Sequence, residues 1–218
     1  MDLNIQQTEV LIRTQNHIKE VFAKEGSGHD WWHIFRVRQL ALKISDAEGG
    51  DRFIIEMAAL LHDLDDWKLK TEDTDSRTKT WLKEIAIDSE QQEKIRQVIA
   101  EISFKGAKVS TVATSTEAQI VQDADRLDAI GAIGIARTFA YGGNRGRLLY
   151  DPEIEPVMHS NFEDYKNNSA PTINHFYEKL LLLKDRLNTN TAKAIAEKRH
   201  TYMEAFLDRF FAEWSGKI

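Results

Sequence analysis

Two histidines and a group of aspartates have the types and spacing in this chain to do metal chemistry. His62 and Asp63 are adjacent and directly follow the apolar run Ala58-Ala59-Leu60-Leu61. His33 lies on an earlier segment. Asp123, Asp125 and Asp128 stand together in Gln122-Asp123-Ala124-Asp125-Arg126-Leu127-Asp128. A mixture of imidazoles and carboxylates suits a divalent ion such as Mn²⁺, Fe²⁺, Co²⁺, Ni²⁺ or Zn²⁺. Two of each would leave room in an octahedral shell for water and a phosphate oxygen. Such an ion lowers the pKa of water and polarises a phosphoryl group. A plainer reading competes, because His-Asp pairs often end helices and closely spaced aspartates often form a solvated face. The surroundings favour the metal. Asp125 is flanked by Ile120-Val121 and by Leu127, Ile130 and Ile133, and polar groups set into apolar helix need partners.

The elements that must position these residues read as helices. A first amphipathic helix is expected over roughly 3–24, ending at Gly26-Ser27-Gly28. Asp30 is placed to cap a second, in which Trp31, Ile34, Val37, Ala41 and Ile44 recur at helical spacing until Gly49-Gly50. Asp51 caps a third carrying Ile54, Met57, Ala58 and Leu61, which runs straight into His62-Asp63. The polar stretch from Lys70 to Lys79 predicts a loop leading into a short helix. Ser89 with Gln92 resembles a capping box opening a helix through Ile95, Val98, Ile99 and Ile102. After a loop from Gly106 to Thr114, helix is expected from about Ser115 to Arg137, as one piece or two.

Residues 141–171 differ in character. Tyr141-Gly142-Gly143-Asn144-Arg145-Gly146-Arg147, Asp151-Pro152 and Pro156 predict a long loop, of the kind that is usually functional or mobile. Two helices, about 172–187 and 191–214, close the chain, with Ile173, Phe176, Leu180 and Leu187 on one face of the first. No internal repeat or linker interrupts this. The expectation is an all-α fold, a single-domain helical bundle over 1–218. Its core would span about 28–140, with a loop excursion at 141–171 and C-terminal helices at 172–214.

Composition excludes several classes. There is no cysteine, so disulfides and thiolate metal sites are ruled out. No apolar run approaches bilayer length and the N-terminal MDLNIQQTEV lacks a signal-like pattern, so a cytoplasmic protein without membrane contact is expected. A net charge of −6 argues against a general nucleic-acid surface. It leaves a phosphorylated small molecule open, because a bound cation reverses the field inside one pocket. Neither class nor charge fixes the oligomeric state, and a homo-oligomer stays open.

The order of these residues resembles a known family. His33 in His33-Ile34-Phe35-Arg36-Val37, then Leu61-His62-Asp63, then Asp125 in a late helix, looks like the H…HD…D signature of HD-domain phosphohydrolases. Gly28-His29-Asp30-Trp31-Trp32-His33, the segment Asp123 to Ala132 and Tyr141-Gly142-Gly143 resemble one bacterial subgroup of that superfamily. The resemblance implies a metal set of His33, His62, Asp63 and Asp125, the last because the family's final Asp is commonly followed by a basic residue, here Arg126. It also implies that Asp66, four residues after His62, positions or deprotonates the attacking water. Otherwise Asp65 and Asp66 merely end the helix. Two-metal members carry further histidines between the HD pair and the final Asp, and the interval 64–124 has none. One ion is therefore expected, Mn²⁺ first, with Ni²⁺, Co²⁺, Fe²⁺, Zn²⁺ and Mg²⁺ as alternatives.

Around this centre, Arg36, Lys105, Arg126, Arg145 and Arg147 are candidates to meet substrate phosphate. His29, one turn before His33, and Asp128, one turn after Asp125, are expected to support the ligands or the substrate. The expected activity is hydrolysis of a phosphoester or phosphoanhydride bond. The subgroup resemblance suggests a nucleotide substrate, such as a nucleoside triphosphate split to monophosphate and pyrophosphate. A nucleoside monophosphatase, a phosphodiesterase or a nucleotide-binding sensor with little turnover are the alternatives.

Overall fold

A computed structural model describes residues 3–23, 30–65, 76–102, 111–158 and 169–218. Its regular elements are helical throughout the described residues, as expected of an all-α fold. They are α1 (Ile5–Val21), α2 (Trp31–Glu48), α3 (Arg52–Leu61), α4 (Arg77–Glu84), α5 (Ser89–Ala100), α6 (Thr116–Asp128), α7 (Gly131–Asn144), a short α8 (Asn174–Glu178) and α9 (Asn190–Trp214). Among the described residues, those up to Asp125 form one compact unit and those from Arg126 onward a second.

In the first unit α3 is the central piece. Every residue from Phe53 to Leu61 is buried, and α1, α2 and α5 pack around the helix. A helix apolar on all sides belongs in a core. Its one charged member in that run, Glu56, takes Arg38 Nε of α2 at 2.9 Å and Arg52 Nε at 3.2 Å. A buried charge needs such partners. The starts of these helices are fixed locally. Asp30 accepts from His33 N at 2.9 Å, and Asp51 accepts from Phe53 N and Ile54 N, satisfying amides that have no partner inside a helix. Glu117 near the start of α6 accepts from Asp51 N at 2.8 Å, which brings α6 alongside the start of α3.

In the second unit α9 packs on α7. The expected Ser115–Arg137 helix is two. The break falls at Ala129–Ile130, where Gly131 sits at φ +77° and a Cβ on it would lie 2.9 Å from Arg199 Cγ of α9. Only glycine has both the conformation and the space. Three expectations need correction. α7 continues through Tyr141-Gly142-Gly143-Asn144, because an apolar face carries the helix past its glycines. The helix expected over 172–187 is α8 followed by 3₁₀ turns at Leu180–Leu182 and Lys184–Arg186. Its apolar residues are nonetheless buried together, since a 3₁₀ turn also brings every third residue to one side. The cap of α5 is Asp88, accepting from Gln91 N at 2.9 Å, one residue before the Ser89 expected there. No described helix is long and apolar enough to cross a membrane.

Candidate metal centre

Local chemistry sets each proposed ligand on a rigid element of the first unit. His33 is in the opening turn of α2, its backbone amide held by the Asp30 cap. His62 closes α3, Asp63 follows in the turn 62–65, and Asp125 lies in α6. Their side chains converge. His62 Nε2 is 3.3 Å from His33 Nε2, and the rings meet edge-on with centroids 5.2 Å apart. Asp63 spans the pair, with Oδ2 3.3 Å from His33 Nε2 and Oδ1 3.4 Å from His62 Nε2. Asp125 Oδ1 stands 3.5 Å from His33 Nε2 and 3.9 Å from His62 Nε2.

The lengths among His33, His62 and Asp63 are near those between donors that share one ion. Donors about 2.1 Å from one ion lie about 3.0 Å apart on an octahedral edge and about 3.4 Å apart on a tetrahedral one. His33, His62 and Asp63 form the tight group, with one donor atom of each within 4.8 Å of the others. Asp125 joins through the imidazoles. Its side chain is 29% exposed, against 1% for His33, 3% for His62 and 9% for Asp63.

The donor chemistry tests whether a cation fits. His62 Nδ1 is 2.9 Å from the Ala59 carbonyl oxygen. An oxygen there can only accept, so Nδ1 carries a proton, and a neutral ring in this orientation turns the lone pair of Nε2 inward. That lone pair faces another imidazole nitrogen and the oxygens of two carboxylates. Buried lone pairs converging in this way repel unless a positive charge lies among them. The residues fit a divalent ion.

Next to this group, burial raises the Asp65 carboxyl, but hydrogen bonds from Ser76, Thr78 and Arg77 outweigh it and hold the group below its ordinary value. Those contacts were not foreseen, because they join residues far apart in sequence. A helix N-terminus after a polar loop was their only trace.

The remaining candidates divide. His29, Asp66 and Lys105 lie outside the described residues. Arg36 is half-buried on α2, three residues from His33. Arg126 is buried and its Nη1 donates to the carbonyl of Arg186, so the guanidinium holds a 3₁₀ turn of the second unit. Asp128 is buried with Arg137 Nη1 at 2.8 Å, a partner the sequence reading missed. Arg145 and Arg147 both lie over the Tyr141 ring, 5.4 and 5.6 Å from its centre. Trp31 is buried and Trp32 exposed.

Known proteins resemble this chain in sequence and fold. The HD domain model matches residues 31–130. The uncharacterized protein YpgQ of Bacillus subtilis is 39% identical over 193 residues, 87% of this chain and 86% of its own length. A crystal structure of an HD-superfamily hydrolase from Bacillus thuringiensis is 46% identical, covering 96% of this chain and 98% of that one, with a TM-score of 0.73. The crystal structure of YpgQ in complex with ADP superposes with a TM-score of 0.74 over 93% of this chain and 97% of that one.

Proposed function

This chain belongs to the HD superfamily of metal-dependent phosphohydrolases, and from that membership we propose that it hydrolyses a phosphoanhydride or phosphoester bond of a nucleotide. The observation that carries the reading is the orientation of the His62 ring, with Nδ1 on the Ala59 carbonyl and Nε2 set against His33 and Asp63. His33, His62, Asp63 and Asp125 would hold one divalent ion, with Mn²⁺ the first choice. Such an ion supplies Lewis acidity, which favours deprotonation of water and polarises a phosphoryl oxygen.

The chain's own residues supply the rest. The backbone partner of His62 keeps its ring in one tautomer and orientation through turnover. Asp66 is assigned to orient the attacking water and take its proton. Arg36, one turn along α2 from His33, meets a phosphate oxygen. Lys105, Arg145 and Arg147 are assigned to neutralise the remaining phosphate charge. The ADP complex of YpgQ supports a nucleotide as the substrate class. Within that class we favour a nucleoside triphosphate, cleaved to monophosphate and pyrophosphate.

The test is activity of metal-stripped protein, restored ion by ion, against a nucleotide panel with phosphate and pyrophosphate detected separately. Pyrophosphate from a triphosphate is the expected product. Phosphate alone from monophosphates would shift the assignment to a monophosphatase. Tight nucleotide binding without any metal-restored turnover would make the chain a sensor.

A further inference from the structure

The turn carrying His62 and Asp63 is gripped from outside α3. Asp65 accepts from Ser76 Oγ at 2.6 Å, from Arg77 N at 2.7 Å and from Thr78 N at 3.3 Å. The neighbouring carbonyl of Leu64 accepts from Arg77 Nε at 3.1 Å. These donors are the cap and first residues of α4, whose amides have no partner within the helix. Ser76 Oγ itself accepts from Lys79 N at 3.1 Å, so the hydroxyl relays the helix terminus onto the carboxylate. α4 is anchored in turn. Trp81 is buried, donates from Nε1 to Thr14 Oγ1 of α1 at 3.1 Å and stacks on His17 with ring centres 3.9 Å apart.

We propose that Asp65 is a positioning residue for the metal centre, locking the His62–Asp63 turn to the amino terminus of α4. Two arguments support this. The bonds enter the turn at Leu64 and Asp65, directly after the ligand pair, so they fix the direction in which Asp63 leaves α3. Asp65 is also itself a carboxylate two residues from Asp63, and a free carboxylate there would compete for a divalent cation. Its Oδ1 takes one donor and its Oδ2 two, at the end of a helix where negative charge is favoured. The clamp therefore holds one ligand in place and keeps a rival out. This inference rests on the metal-centre reading and is independent of the substrate.

The experiment is calorimetric titration of Mn²⁺ into the full, metal-stripped chain without nucleotide. Asp65→Asn keeps one oxygen acceptor but loses the charge and the second. It is expected to bind Mn²⁺ about tenfold more weakly, the size typical of outer contacts to a metal site. Ser76→Ala should weaken binding roughly threefold, as expected for one hydrogen bond. The double variant should stay near Asp65→Asn, since both changes break the same contact. Asp88→Ala removes the same kind of cap from α5 and should lower the melting temperature without altering Mn²⁺ affinity. Unchanged affinity in Asp65→Asn and Ser76→Ala would overturn the proposal, as would an equal loss in Asp88→Ala. If Asp65→Asn fails to fold, Ser76→Ala decides alone. Absence of Mn²⁺ binding by the unaltered protein would instead strike the metal-centre reading beneath it.

Discussion

The carboxyl end of α3 and the stretch from Tyr141 to Met158 both hold residues singled out for chemistry, yet they are built in opposite ways. At the end of α3 the His62 and Asp63 side chains are largely buried, Asp65 is half-buried, and each has a partner whose direction is set by a helix. Along the second stretch Arg145 and Arg147 ride over an aromatic ring. Leu148, Leu149, Ile154, Val157 and Met158 are exposed beside them. The first region tolerates little displacement, as ligands to a small ion require. The second is open to solvent, which suits side chains that meet a substrate rather than an ion.

The contrast is broken most severely by Asp63→Ala. It should lower metal-restored hydrolysis by roughly a thousandfold, or about 4 kcal/mol in the barrier, measured as released phosphate or pyrophosphate. Next comes Leu60→Ala, at a fully buried position of α3. It should cost about 3 kcal/mol of stability in urea unfolding and reduce activity only in proportion to the unfolded fraction. In the more exposed partner of the comparison, Arg145→Ala with Arg147→Ala should raise KM about tenfold while stability stays within about 0.5 kcal/mol of the parent. An equal loss of stability there would erase the distinction.

The smallest effect is on acid stability. Asp65 titrates below its ordinary value in the folded chain, so its charge stabilises the fold above the unfolded carboxylate pKa. That stabilisation is lost as pH falls through the lower, folded value. The stability gap between the parent and Asp65→Asn should therefore be constant near neutrality. It should close below about pH 4, followed by circular dichroism across a pH series.

Legibility in the sequence followed the range of the forces involved. Asp30 and Asp51 act on amides two or three residues away, and both caps were read correctly. The α3 apolar run announced a buried helix, and the adjacent His62-Asp63 followed from its end. The break before α7 was undecided because the apolar pattern continues across it, and what forbids a side chain at Gly131 is Arg199 on a distant helix. Arg126 reads in the sequence as a cation beside a ligand, a candidate for substrate phosphate. Its partner is a carbonyl on a 3₁₀ turn sixty residues later. Asp65 was ambiguous for the same reason, since nothing near it in sequence marks Ser76 as its donor.

The partner that orients the His62 ring is a main-chain oxygen, that of Ala59. No side-chain replacement at that position deletes it. A scan of single substitutions would mark the imidazole as indispensable and pass over the group that aims it. In this corner of the molecule the helix's own carbonyl is the instruction, and it is written without a residue to mutate.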